Sequence, residues 1–265
     1  MPTDGTPTDA MPTDGTPTDA MPTDALLDRF LTALGPLRPV AVWAHGSLAG
    51  GDYQEGRSDL DLIAVLDGPL TARTIWRLAT LHARLRTAPL APLLHCSYLT
   101  PDTLEDPARR HLTWAHEELF RRPVTPVTRR ELHTFGRVLH GEAPTALLPP
   151  VPNRELAAFV VRDQRDFWRP AVADARLWTR DVWVDLGLIT FARASVTARE
   201  GRLISKREAL ELLPGLGAPA EVVDDVHGRR YGRAKPRSGA WAARRARLTR
   251  AYLGPAIDAL VASSG

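Results

Sequence analysis

Cysteine is nearly missing from this chain: in 265 residues only Cys96 occurs. That excludes an internal disulfide and the usual cysteine-rich zinc clusters. Lysine is almost as scarce, with only Lys206 and Lys235 against an abundance of arginine. No apolar run approaches the ~20 residues of a membrane-spanning helix. The polar N-terminus has neither the charged nor the apolar region of a secretory signal. These absences predict a cytoplasmic protein with no membrane partner. The net charge of +3 is too small for this length to imply nucleic acid by itself. What is present is a hydrophobic fraction of 44%, enough for a globular core. The length suits one large or two modest domains.

Residues 1–20 are a perfect tandem repeat of Met-Pro-Thr-Asp-Gly-Thr-Pro-Thr-Asp-Ala, and another copy starts at Met21 and stops at Asp24. The segment lacks apolar periodicity and cannot bury enough surface to order itself, so residues 1–22 are expected to form a disordered tail. Met1, Met11 and Met21 are the only methionines and each heads a copy, which makes Met21 an alternative start. Ala25 to about Leu34 then reads as a helix with one apolar face.

The stretch from Val40 to Leu66 reads as a strand, a Gly46-Ser47 turn, a polar glycine-rich connection and a second strand carrying Asp59 and Asp61. Side chains two apart on a strand share a face. The aspartates therefore project together, with Leu60 and Leu62 facing the core. Adjacent carboxylates repel and raise each other's pKa. A hard divalent cation such as Mg2+ relieves that repulsion. Gly46 lets the backbone approach a phosphate closely, and Ser47 adds a hydroxyl donor.

Gly46-Ser47, ten residues, then Ser58-Asp59-Leu60-Asp61 resembles the signature of the DNA-polymerase-β-like nucleotidyltransferase superfamily. The resemblance implies that Asp59 and Asp61 hold Mg2+ and that Gly46, Ser47 and Ser58 belong to the nucleotide site. It also implies another carboxylate, on a third strand, which completes the metal site and in some members deprotonates the acceptor hydroxyl. Pro89 to Thr100 reads as that strand, but no acid lies between Asp67 and Asp102; by register the place falls to His95. An imidazole with pKa near ~6.5 suits proton abstraction at neutral pH. His95 as an ordinary strand histidine, and a site that has lost catalysis, are the alternatives.

Pro123 to Pro126 reads as a linker, after which the pattern turns helical, including one helix from Thr128 to His140. Ser205-Lys-Arg-Glu208 has the form of a capping box. Leu188–Lys206 and the Arg121–Leu132 run resemble the C-terminal helical domain and linker of bacterial aminoglycoside adenylyltransferases of the streptomycin/spectinomycin type, within a likeness spanning about residues 25–253. That family resemblance implies that Lys206 reaches the nucleotide phosphates. It also implies a cationic acceptor bound by Trp and acidic residues, a zone held here by Trp178, Asp181, Trp183 and Asp185. Carboxylates pair with ammonium groups, and an indole face adds a cation–π attraction of ~0.5–2 kcal/mol.

The expected fold is α+β. A mixed sheet with flanking helices over residues 23–122 carries the nucleotidyltransferase site, and an all-helical domain over 123–265 follows. The expected reaction moves AMP from ATP to a hydroxyl of a small cationic acceptor such as an aminoglycoside. One rival keeps the fold as a catalytically silent nucleotide-binding protein. Another is a nucleic-acid-binding module using the basic 229–250 stretch, which holds nine Arg or Lys and no acid. That rival leaves the Asp-x-Asp unit without a role and ranks last.

Overall fold

The computed structural model describes residues 21–104, 106, 109–232 and 238–264. The repeat tail up to residue 20 lies outside them, as do residues 233–237 of the basic stretch. The N-terminal half runs α1 (Pro22–Leu34), β1 (Pro39–Ala44), α2 (Gly46–Ala49), β2 (Leu60–Leu66), α3 (Ala72–Leu85), β3 (Leu94–Leu99), β4 (Arg110–Ala115), β5 (Glu118–Pro123), α4 (Pro126–Phe135) and β6 (Arg137–Gly141). It continues through α5 (Pro144–Leu147), α6 (Asn153–Asp163), α7 (Arg169–Ala173), α8 (Asp181–Glu200), α9 (Lys206–Leu212), α10 (Ala220–Tyr231) and α11 (Gly239–Ala262). The α+β expectation holds. α1 opens at Pro22, inside the segment assigned to the tail, because Thr23 is tied down: its backbone and hydroxyl bond Glu55 and its hydroxyl also meets Tyr53.

One mixed sheet of six strands has the order β5-β4-β3-β2-β1-β6. Only β2 and β3 pair in parallel; the other neighbours are antiparallel. Period-two alternation divides the strands between two cores. Val42, Ala44, Leu60, Leu62 and Leu66 face α1 and α3, while Ala41, Trp43, Ile63 and Val65 face Leu132 of α4 and Leu148. The helical half has its own core around Trp178, Leu188, Val222 and Leu253.

Two elements differ from the sequence reading. The β4–β5 hairpin has no counterpart in the sequence reading; it turns on His116 and Glu117 in left-handed conformation (φ 52° and 61°). The helix expected from Thr128 to His140 stops at Phe135, and Arg137–Gly141 becomes β6, paired with β1. Gly136 makes the break: a Cβ there would lie 2.5 Å from the Leu132 carbonyl oxygen. β6 thus joins the N-terminal sheet although it lies past residue 122, where the sequence reading divides the chain. No helix among the described residues is long and apolar enough to cross a membrane.

Candidate active site

β1 ends at Ala44 and the chain turns at once into the short helix α2, so His45, Gly46 and Ser47 sit at the end of the sheet beside Asp61. The His45 backbone N–H donates to the Asp61 carbonyl at 2.9 Å. Gly46 has φ +63°, and a Cβ there would come within 2.8 Å of Asp61 Oδ2. Both facts require glycine: the left-handed backbone, and the carboxylate lying against the turn. Ser58 closes the connecting loop. It is buried, and its hydroxyl accepts the Gln54 N–H at 3.0 Å.

Asp61 lies on β2 and Asp59 just before it, and the parallel register sets His95 of β3 directly beside Asp61. The ring lies between the carboxylates, Nδ1 3.6 Å from Asp61 Oδ1 and Nε2 3.8 Å from Asp59 Oδ1. His95 is buried, meets the His116 ring edge-on at 4.7 Å, and its Nε2 has no hydrogen-bond partner. Burial works to raise the Asp61 pKa. Attraction to His95, His45 and Lys206 outweighs it, holding the carboxyl down to about 2.

Lys206 arrives from the other half of the molecule. The capping box expected at Ser205 and Glu208 is formed, and it starts α9 so that Lys206 is the first helical residue. Burial, then Arg230, lower the Lys206 pKa, against the pull of Asp61 and Asp59. Gly46, Ser47, Asp61 and Lys206 line one cavity of about 410 Å³ between the halves, with apolar Val127, Phe135 and Leu203 on its wall. Ser58, Asp59 and His95 are not among the lining residues.

Among the titratable lining residues, His45, Asp52, Glu131 and Arg193 were missed by sequence reasoning. Glu131 of α4 is buried and bridges His45 Nδ1 at 3.1 Å and the Arg193 guanidinium at 3.0 Å. Burial opposes its ionisation, but those partners keep its pKa below the ordinary value. Arginine within the apolar run of α8 was the one available signal, because a buried guanidinium needs an acid from elsewhere.

The residues expected to hold the acceptor are not alike. Trp178 is fully buried and donates its indole N–H to the Ala171 carbonyl at 2.8 Å. It fills the space over Gly187, where a Cβ would meet its ring at 2.6 Å. Trp183 is half-buried and stacks on the exposed Phe167 at 6.1 Å. Asp185 accepts from Arg229, and Asp181 pairs with Arg245 at 2.5 Å. Arg229 and Arg245 belong to the basic 229–250 stretch on which the nucleic-acid-binding rival rests. They are instead turned inward onto Asp181, Asp185 and Asp225.

The donor set around Asp59 and Asp61 fits Mg2+. No lysine or arginine pairs with these carboxylates among the described residues, and the oxygens are partly exposed. No group of three or more His, Cys, Asp or Glu among the described residues is arranged to hold a metal unaided. Mg2+ characteristically binds through one or two carboxylates and completes its shell with phosphate and water.

Comparison with known proteins agrees with this arrangement. Residues 26–136 match the nucleotidyltransferase domain family. No curated protein matches the chain in sequence. Among solved structures, the fold is similar to that of the spectinomycin adenyltransferase AAD(9) from Enterococcus faecialis, determined with ATP and spectinomycin. The TM-score is 0.66 at 14% identity, over 89% of this chain and 98% of that one. Residues 26–136 thus form a nucleotidyltransferase domain, and in fold the chain resembles an aminoglycoside adenylyltransferase.

Proposed function

We propose that this protein transfers a nucleoside monophosphate, AMP from ATP, to a hydroxyl of a small cationic acceptor of the aminoglycoside or aminocyclitol class. One observation carries the proposal: Gly46, Ser47 and Asp61 from the sheet and Lys206 from the helical half line a single cavity. The structural neighbour solved with ATP and spectinomycin supports the choice of nucleotide and acceptor class.

In this reading Gly46 and Ser47 cradle the triphosphate, and Lys206 neutralises phosphate charge as it moves onto the leaving group. Asp59 and Asp61 would hold Mg2+, which supplies charge neutralisation on the phosphate oxygens when bound. His95 takes the proton from the acceptor hydroxyl. The oxygen then bonds to the α-phosphorus, the bond from that phosphorus to the bridging oxygen breaks, and pyrophosphate leaves. Trp183, half-buried, offers an indole face to a cationic acceptor.

Pyrophosphate release from MgATP, measured with a panel of aminoglycosides and aminocyclitols, tests the proposal. Acceptor-dependent release supports it. A second reading, a silent nucleotide-binding protein, is favoured by the imidazole standing where a third carboxylate is expected. ATP binding without release for any acceptor, and release on His95→Glu, would establish that second reading.

A further inference from the structure

The loop between the Gly46-Ser47 turn and β2 grips the helical half with two charged side chains. Asp52 is only 6% exposed. Its carboxylate accepts the Tyr231 hydroxyl at 2.8 and 2.9 Å and the Arg207 backbone N–H at 3.2 Å, with Arg207 Nε 3.8 Å away. The Arg207 guanidinium lies 4.1 Å from the centre of the Tyr231 ring, and Arg230 covers the same ring at 5.5 Å. Burial, then Asp52, push the Tyr231 hydroxyl up to about 12, so it remains a donor. Farther along the loop, Arg57 donates to the carbonyls of Arg229 and Arg230 at 3.3 and 3.0 Å. An acid thus meets the start of α9 and a base meets the end of α10, each opposite in sign to the peptide groups it faces.

Both ends of this grip lead into the site. The Asp52 backbone N–H donates to the Ser47 carbonyl at 3.2 Å. Arg207 directly follows Lys206 in the chain. A short run of covalent and hydrogen bonds therefore connects Ser47, Asp52, Arg207 and Lys206. A buried carboxylate in the wall of a triphosphate cavity is unfavourable by charge alone, because it repels the ligand. Its donors come from Tyr231 and Arg207, across the cleft.

We propose that Asp52 is a positioning residue for the triphosphate: it fixes α9, and with it the Lys206 ammonium, against the Gly46-Ser47 turn. The proposal rests on the nucleotide reading given above. A field effect and a positioning effect differ in sign. If Asp52 acted through its charge alone, Asp52→Asn would tighten nucleotide binding by removing a like charge. Positioning requires the opposite, a weakening on the order of tenfold.

Calorimetric titration of MgATP into the full chain and its variants separates the cases. A wild-type chain that binds no ATP overturns the nucleotide reading itself. With wild-type binding in hand, the expected result is weaker binding by Asp52→Asn and by Tyr231→Phe, with partial recovery in Asp52→Glu. Lys206→Met should then cost less in the Asp52→Asn background than in the wild type. Unchanged or tighter binding by Asp52→Asn, or full additivity with Lys206→Met, overturns the proposal. If Asp52→Asn does not fold, Tyr231→Phe removes a single hydroxyl and carries the same test.

Discussion

Two acidic clusters sit in this molecule, and they differ in what neutralises them. Asp59 and Asp61 project from the sheet end with only imidazoles near enough to pair, and Asp61 opens into a cavity. Asp181, Asp185 and Asp225 lie in the helical half with Arg229 and Arg245 turned onto them. The pKa directions are set by burial against the neighbours rather than by the arginines alone. Asp61 is held down to about 2 because its neighbours outweigh burial, whereas for Asp185 burial outweighs Arg229 and the pKa rises. An acid pair without a fixed cation is prepared for a mobile one. An acid group filled by arginine forks is part of the framework. In sequence both look like acids beside apolar residues, because the arginines that close the second cluster lie far along the chain.

The sharpest way to break the comparison is to replace Asp59 and Asp61 together by Asn. Acceptor-dependent pyrophosphate release should fall roughly 10³-fold or more, since charge stabilisation at the reacting phosphate is lost. The melting temperature should hardly move, because neither side chain has a committed basic partner. A large fall in melting temperature would place this pair with the framework acids.

Arg245→Met tests the opposite cluster. Arg245 is essentially fully buried, and removing it strands the buried Asp225 without one of its cations. Denaturant unfolding should show a loss of about 3–5 kcal/mol, while ATP affinity of the folded fraction stays unchanged. An ATP affinity that drops with stability preserved would make this cluster part of the site.

A buried titratable group with no charged partner is the limiting case, and His82 provides it. It stacks on Trp114 at 4.3 Å, meets the Tyr98 hydroxyl at 2.6 Å, and burial lowers its pKa to about 3. The folded protein keeps it neutral, so protonation below pH ~6.5 favours the unfolded chain. Its contribution is intact above pH ~6.5 and is lost as pH falls toward 3, roughly 3 kcal/mol by pH 4. Urea unfolding at pH 7 and pH 4 should show a smaller pH dependence in His82→Phe than in the wild type.

The smallest effect separates the two tryptophans that sequence placed in one acceptor zone. Trp183→Ala should weaken acceptor binding by about 1 kcal/mol, read as a higher acceptor KM with a smaller loss of stability than at Trp178. Trp178→Ala should instead cost about 3–5 kcal/mol of stability through the cavity it leaves.

The turn, the Asp strand, the third strand and the capping box at Ser205 were legible because each is local: glycine, alternation and a four-residue cap carry their own signal. The β4–β5 hairpin was not, since His116 and Glu117 occupy left-handed positions without the usual glycine or asparagine. β6 was read as helix because Leu132, Phe135, Val138 and Leu139 keep helical spacing straight through Gly136. Glu131 and Asp52 were invisible for another reason. A buried charge is recognisable only beside its partner, and theirs come from 62 to 179 positions away.

β6 carries one more consequence, for the order in which the protein is made. β1 emerges early, but one of its neighbours is built from residues 137–141, and Trp43 in β1 donates its indole N–H to the Glu142 carbonyl at 2.6 Å. On the ribosome the sheet stays open along that side until the chain has passed residue 142. A nascent chain stopped at residue 122 would present β1 with free backbone groups, an edge ready to pair with another copy.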